Sequence, residues 1–398
     1  MTPPTFLERI KDDRVAIVGA GPAGLNAAYH LGRKGYQITI FEALPVAGGM
    51  LAVGIPDFRL PPGILDYDIR FICQHNVEIR TNQALGKDFT VDELLKQGYK
   101  AVFLALGAHG NPRLNIPGED AQGVLAGVDF LRRVNLGEEV DVGEKVAVIG
   151  GGDVAIDAAR MAVRLGAREV FIVYRRTQEE MPANPEEVEA AEDEKIKILY
   201  LMAPTRILTD NGRVKGMECI RMELGDYDES GRRRPVPIKG SEFILNVDTI
   251  IPEVGYKPEL TSFPKDSGFT ITKWGTLSAD SITLATHIPG VFAGGDVVTG
   301  PSTIVQAMAH GYQAAVSIDR YLKGQDLIKD RVFRALRRAD VPKAEEEAEK
   351  VEAIKPRTRM AYLGVGRRVR TFSEVNLGFA EEAAIREAKR CLRCDLEH

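Results

Sequence analysis

The chain has 398 residues, 52 Lys+Arg against 57 Asp+Glu for a net charge of −5, 44% apolar residues, 39 Gly and four Cys. That length allows two or three domains with real cores, and the near-balanced charge supplies no basic field of the kind that nucleic acid or an anionic membrane surface requires. Four Cys, at positions 73, 219, 391 and 394, are too few and too scattered for a secreted disulfide framework, the first 30 residues lack a charged-then-apolar leader, and no apolar run approaches the ~20 residues of a membrane span; the expectation is a cytoplasmic protein with no nucleic-acid partner and no membrane span.

In chain order, Met1 to Asp13 is polar and mixed in charge and reads as a short arm or helix. Arg14 to Gly19 is an apolar run of strand length, Pro22 to Lys34 is helix-like, Gly35-Tyr36 breaks it, and Gln37 to Glu42 is a strand rich in β-branched residues, which together make a βαβ unit. Ala101 to Gly107 is a further buried strand, and Pro112 to Gly123 suits a crossing between domains. The first pattern then recurs, with Glu144 to Gly150 as strand, Gly151 to Leu165 as helix, a break at Gly166 and Glu169 to Tyr174 as strand. Residues 196–251 alternate apolar and polar positions around Asn211-Gly212, a hairpin signal. Val291 to Asp296 is another apolar strand, and Pro301-Ser302-Thr303 signals the start of a helix running to Leu322.

These elements predict an α/β protein with two doubly wound, Rossmann-like nucleotide-binding domains. One comprises residues 1–115 and 285–325, and the other, 116–284, is inserted into it. Residues 326–398 form a tail. Its acidic stretch 341–355 reads as a solvated helix or linker, the run 357–370 carries five Arg and no acid, and Glu381 to Cys394 places acids first and Arg386, Lys389, Arg390 and Arg393 late, as a helix dipole prefers.

Two motifs carry chemistry. In Gly19-Ala-Gly21-Pro22-Ala23-Gly24, the first glycine permits the strand-to-helix turn, the second lets backbone N–H groups approach a pyrophosphate, and the third lets helix pack on sheet. Glu42, at the end of the second strand, is placed to accept hydrogen bonds from both hydroxyls of a ribose. The second motif, Gly150-Gly151-Gly152-Asp153-Val154-Ala155, is the same device, but its second strand ends in Arg175-Arg176 instead of an acid. Arginine there suits a 2′-phosphate and favours NADP over NAD, without excluding NAD. Two dinucleotide sites of opposite polarity point to a flavin exchanging hydride with a nicotinamide.

On these residues the chain resembles the FAD and NAD(P) module of the glutamate synthase small subunit and its relatives. The segment Phe41 to Pro61, the turn Ala105-Leu106-Gly107, the run Tyr174 to Thr177 with Glu180 to Ala183, Glu253 to Gly255, and Gly294-Gly295-Asp296 with Gly300 to Ala307 carry the resemblance. It implies FAD bound by Gly19, Gly21, Pro22, Ala23, Gly24 and Glu42 together with Gly49, Leu51, Arg59 and Gly107, and by Gly295, Asp296, Ser302 and Thr303. The isoalloxazine would be lined by Gly49, Met50, Leu51, Gly54, Ile55 and Pro56. NADP or NAD would be held by Gly150, Gly152, Asp153, Val154, Arg175, Arg176 and Gly255. Hydride would pass directly between stacked rings, so no separate catalytic residue is expected.

The chain departs from that pattern in its cysteines. Only 18 residues precede Gly19 and none is Cys, so the iron–sulfur domain that precedes the first motif in the glutamate synthase subunit has no counterpart there. The pair Cys391 and Cys394 supplies two of the four thiolates a 4Fe–4S cluster usually takes. It stays open between half of a cluster or metal site shared with a partner, a complete site with Asp395 and His398, a redox disulfide, and a remnant without ligand. Cys73 and Cys219 read as buried core thiols, and neither motif has a cysteine pair beside it, which disfavours a disulfide reductase. The expectation is therefore a flavin subunit that passes electrons to iron–sulfur clusters of a partner, alongside a substrate-converting subunit of aldehyde, formate or hydrogenase type. The Arg-rich stretch 357–370 is a candidate contact for an acidic ferredoxin-like partner. A shortened glutamate synthase small subunit and a non-catalytic flavin-binding scaffold or redox sensor are the alternatives.

Overall fold

The computed structural model describes residues 12–228, 231–261, 263, 268–329 and 357–389. The expected N-terminal arm, the acidic stretch 341–355 and the terminal Cys391-Cys394 pair lie outside them.

The first module begins with β1 (Arg14–Val18), α1 (Pro22–Arg33), β2 (Gln37–Phe41), α2 (Met50–Val53), α3 (Pro62–Cys73), β3 (Val77–Arg80), α4 (Val91–Lys96) and β4 (Tyr99–Leu104). The chain leaves, builds the second module, and returns with β13 (Val291–Ala293), α8 (Asp296–Thr299) and α9 (Ile304–Leu322). The five strands form one parallel sheet in the order β13-β4-β1-β2-β3. Their near-continuous apolar runs suit strands covered on both faces. Val15, Ala16 and Ile17 are fully buried. On one face α1 and α9 cross backbone to backbone, since a Cβ at Gly311 would lie 2.3 Å from the Ala23 carbonyl oxygen. Residues 268–284 already belong to this module, because Leu277 and Leu284 share its core with Val18 and Ile17 respectively, so the return begins before residue 285.

Between β4 and β13 come α5 (Gly127–Asn135), β5 (Lys145–Ile149), α6 (Asp153–Arg164), β6 (Glu169–Tyr174), α7 (Pro185–Asp193), β7 (Lys197–Tyr200), β8 (Met202–Asp210), β9 (Arg213–Tyr227), β10 (Arg233–Pro237), β11 (Phe243–Leu245) and β12 (Thr249–Pro252). A second parallel sheet has the order β12-β5-β6-β7. An antiparallel sheet centred on β9 covers one face of it, burying Ile207, Met217 and Cys219 against Ala147, Ile149 and Val173. Its β8–β9 hairpin turns at Asn211 (φ 48°) and Gly212 (φ 79°), the left-handed pair that a two-residue turn requires.

The tail supplies α10 (Val365–Arg368) and α11 (Glu381–Lys389). Contrary to the expectation of a free basic contact for a partner, three of the five arginines of 357–370 are committed within the chain. Arg357 pairs with Glu186, Arg359 with Glu189, and the buried Arg368 with Asp193 and Glu194. Val375 is buried in the second module's core and donates its N–H to the Phe58 carbonyl at 3.1 Å. The tail thus straps the second module to a segment of the first.

Candidate functional site

A cavity of about 390 Å³ opens at the carboxyl ends of β1, β2, β4 and β13, where parallel α/β sheets place their ligands. Its wall holds most of the residues expected there: Gly19, Gly21, Pro22, Ala23, Glu42, Gly49, Met50, Leu51, Ile55, Gly107, Gly295, Asp296, Ser302 and Thr303. Gly19 takes φ +106°, and a Cβ there would strike the Ala105 carbonyl oxygen at 2.3 Å, so the turn out of β1 admits only glycine. At Gly21 the nearest atom to an added Cβ is Gly49 Cα at 3.9 Å. That space lies at the N-terminus of α1, whose N-cap carries no side-chain hydrogen bond and whose first turn holds no acid, which leaves amide donors for an anion.

Glu42 is buried with both oxygens partly engaged, accepting from the Ala20 N–H at 2.7 Å and the Leu44 N–H at 2.8 Å. Burial pushes its carboxyl up, against the pull of these amides. Each oxygen keeps a lone pair for a vicinal diol. Across the cavity Ser302 donates to Asp296 Oδ1 at 2.8 Å, Thr303 caps α9 reciprocally with Gln306, and the Gly295 N–H donates to His310 Nδ1 at 3.0 Å. Burial lowers the pKa of His310, in keeping with a neutral ring that accepts at Nδ1.

Four expected residues stand elsewhere. Gly24 packs on the Gly19 carbonyl oxygen, where a Cβ would come within 2.0 Å, Gly54 closes α2, and Pro56 is buried under the turn whose amides its carbonyl accepts. Arg59 points to the other module, where its Nη1 meets Asp157 Oδ2 at 2.7 Å and its Nε lies 3.5 Å from Glu187. Sequence reasoning missed Gln83, Ala84, Leu85, His109, Arg132, Glu259 and Thr261, which also line the cavity. The first three follow β3, so the rule that ligands sit beyond carboxyl strand ends could have found them. His109 and Glu259 flank the two crossings, which pair at Gly110 and Lys257; no motif marks them.

The second cradle repeats the first. A Cβ on Gly150 (φ +155°) would lie 2.2 Å from the Glu253 carbonyl oxygen, whereas one on Gly152 would meet nothing within 4 Å at the N-terminus of α6. Asp153 in that first turn accepts the Asn184 N–H at 2.9 Å. Gly255 (φ +110°) is open as well. Beyond β6, Arg175 is exposed, but Arg176 is 3% exposed and held by Asp228 and the Arg233 carbonyl. The expected pair of free arginines is therefore one free and one locked.

Two acids are buried where the modules meet. Burial pushes Asp157 up to about 7 in spite of Arg59, and Glu253 up to about 8 in spite of a hydrogen bond from the Tyr256 hydroxyl. Asp157 Oδ1 and Glu253 Oε1 have no hydrogen-bond partner among the described residues. Neither described cysteine lines the cavity. Cys219 is fully buried, its thiol pushed up to about 12 by burial, and Cys73, expected in a core, is half-buried at the end of α3. Among the described residues no cluster of His, Cys, Asp and Glu could hold a metal, and no helix is long and apolar enough to cross a membrane.

Two parallel α/β modules, one inserted in the other and each with an open glycine cradle at a helix N-terminus, define a protein with two dinucleotide sites; the cradles and the Glu42 carboxylate fit FAD in the first and a nicotinamide dinucleotide in the second. The family profile for pyridine nucleotide-disulphide oxidoreductases matches residues 13–311, and the chain belongs to that family. It is 47% identical over 387 residues to the NADP(+)-dependent formate dehydrogenase subunit beta of Moorella thermoacetica, covering 96% of this chain and 54% of that one. With the NADPH-Fe(3+) oxidoreductase subunit beta of Geobacter sulfurreducens it shares 41% over 424 residues, 98% of this chain and 63% of the relative. The glutamate synthase (NADPH) small chain of Escherichia coli is 35% identical, over 78% of this chain and 69% of its own. The chain thus spans between half and two thirds of the length of the first two relatives. Mycobacterium tuberculosis FprA in complex with NADPH superposes with a TM-score of 0.68 at 21% identity over 79% of this chain and 85% of that one, a likeness of fold.

Proposed function

We propose that this chain is the flavin- and NADP-binding electron-transfer subunit of a multisubunit oxidoreductase. The observation that carries the reading is the pair of open cradles, at Gly21 and Gly152, set on two modules that meet across the crossings at Gly110 and Lys257. In the first module the α1 N-terminus at Gly21 would hold the FAD pyrophosphate, Glu42 the ribose, and Gly49, Met50, Leu51, Ile55 and Thr303 the surroundings of the ring. In the second, the α6 N-terminus at Gly152 would hold the NADP pyrophosphate, with Arg175 on the 2′-phosphate. Bound FAD supplies conversion between the two-electron chemistry of a nicotinamide and one-electron carriers. The chain's own part is to hold both nucleotides in register and to keep water out of the apolar pocket wall formed by Met50, Leu51 and Ile55.

The partner in this reading carries iron–sulfur clusters and passes electrons to or from a substrate-converting subunit. The relatives named as beta subunits of a formate dehydrogenase and of an Fe(3+) oxidoreductase support a complex of that kind, with cytoplasmic location. Anaerobic addition of NADPH to the purified, FAD-loaded chain should bleach the flavin band near stoichiometry, with NADH weaker. If neither nucleotide bleaches it, the protein is a flavin-binding scaffold. The small-chain relatives keep a glutamate synthase role in view, and turnover that depends on glutamine in the isolated complex would establish it instead.

A further inference from the structure

The sequence motif offers two adjacent arginines for a 2′-phosphate, but the structure removes one of them. Arg176 is 3% exposed; its Nη2 binds Asp228 Oδ2 at 2.6 Å and its Nε donates to the Arg233 carbonyl oxygen at 2.8 Å. Both partners belong to the far end of the β9–β10 hairpin, where the Asp228 N–H donates to the Arg232 carbonyl at 2.8 Å. Arg176 is therefore a peg that fixes this hairpin against the end of β6. The Leu201 N–H, donating to the Arg176 carbonyl at 3.1 Å, holds the peg itself in place.

Pinning the hairpin there has a consequence for charge. Arg233 is exposed, with Nη2 steadied by the Leu224 carbonyl at 3.1 Å. Its positive charge is felt by Glu180, whose carboxyl is held below its ordinary range first by the Thr177 hydroxyl and, more weakly, by Arg233. Glu180 closes the reciprocal cap of the Thr177–Glu180 turn, which directly follows Arg175 and Arg176. Arg233 thus stands beside the turn on which a 2′-phosphate would lie if the nucleotide's pyrophosphate sits at Gly152. Arg175, exposed and with no partner among the described residues, is at the start of that turn.

We propose that the 2′-phosphate clamp consists of Arg175 and Arg233, brought together from β6 and from the β9–β10 hairpin, with Arg176 and Asp228 acting as positioning residues that dock the hairpin. The inference rests on the NADP reading above. The ligand chemistry is a phosphate monoester on an adenosine ribose, gripped by two guanidinium groups from separate elements.

The test uses the purified, flavin-loaded chain and two probes, 2′,5′-ADP and 5′-AMP, titrated calorimetrically. Wild type should bind 2′,5′-ADP more tightly than 5′-AMP. Arg175→Ala and Arg233→Ala should each weaken 2′,5′-ADP by about ten- to a hundredfold, the worth of a charge-assisted hydrogen bond, and leave 5′-AMP unchanged. Asp228→Ala, which touches no phosphate, should reduce the same selectivity by freeing the hairpin. Arg234→Ala, an equal loss of exposed charge one position along, should change it less than threefold. If wild type does not distinguish the two probes, the NADP reading itself fails. If wild type distinguishes them while Arg233→Ala and Asp228→Ala keep full selectivity, or if Arg234→Ala loses as much as Arg233→Ala, the clamp is overturned and the NADP reading stands.

Discussion

At Gly21 an added side chain would meet no protein atom closer than 3.9 Å, so a substitution there acts on what the cradle is for and leaves the fold alone. Its φ is not in the left-handed region, unlike that of Gly19. Gly21→Val should therefore give a protein with normal far-UV circular dichroism that purifies without flavin; a flavin-to-protein ratio equal to wild type would show that no diphosphate approaches this point. Glu253 makes a second prediction, with a definite sign. Its carboxyl is pushed up by burial from an ordinary 4.5 to about 8. Between those values the unfolded chain is ionised while the folded chain keeps its proton, so the folded state binds more protons and stability falls as pH rises from about 4.5 to about 8. Glu253→Gln, neutral in both states, escapes that loss. The variant should match wild type near pH 4 and melt several degrees higher near pH 9, and equal melting temperatures at pH 9 would show that Glu253 ionises freely in place.

Among the elements, the segment after α2 decides how the modules meet. Phe58 is fully buried in the core of the second module, with the guanidinium carbons of Arg164 and Arg160 at 3.8 and 4.9 Å from its ring centroid. Next to it Arg59 supplies Asp157 with its hydrogen-bond donor at 2.7 Å. Arg59→Ala would leave the Asp157 carboxylate buried without its cation. It should cost about 3–5 kcal/mol at neutral pH and less at pH 5, where Asp157 is protonated; denaturant titration at the two pH values tests this, and an equal cost at both would sink the pairing. The sequence showed β1, α1, β2 and β5 to β6 clearly, because each is a local apolar run with its glycine punctuation beside it, and the Asn211-Gly212 turn was equally plain. The placement of Arg59 was not legible there. It sits inside a segment that resembles a flavin site, and its partner lies 98 residues away, at a distance no periodicity reports. The same holds for Arg357, whose partner Glu186 is 171 residues distant, and for Arg176, whose burial depends on a hairpin formed some fifty residues later. Charge patterns reveal which arginines exist, and tertiary pairing decides which of them remain free.

For the whole molecule, the strap and the latch give the two modules a common fate. Val375 from the tail closes over Phe58 from the first module, and Arg368 joins Arg160 and Arg164 around Glu194. Burial opposes ionisation of Glu194, but the arginines outweigh it and hold its carboxyl below the usual range, so this centre stays charged and paired at neutral pH. Asn135 at the end of α5 adds a hydrogen bond at 3.0 Å to the Ile55 carbonyl, beside the flavin cavity. Such links resist rotation of one nucleotide site against the other, which suits direct hydride transfer between rings that must stay in register. They also predict a single cooperative unfolding transition, because neither module keeps its full core without the other. In wild type, loss of flavin absorbance and loss of far-UV circular dichroism should follow one curve in urea. Phe58→Ala removes a buried aromatic worth about 3–5 kcal/mol and the platform under two arginines, and should separate the curves, the flavin signal and the helical signal then reporting different midpoints. Coincident curves in the variant, shifted together to lower urea, would mean that the modules are joined mainly by the crossings at Gly110 and Lys257 and that Phe58 contributes stability without coupling.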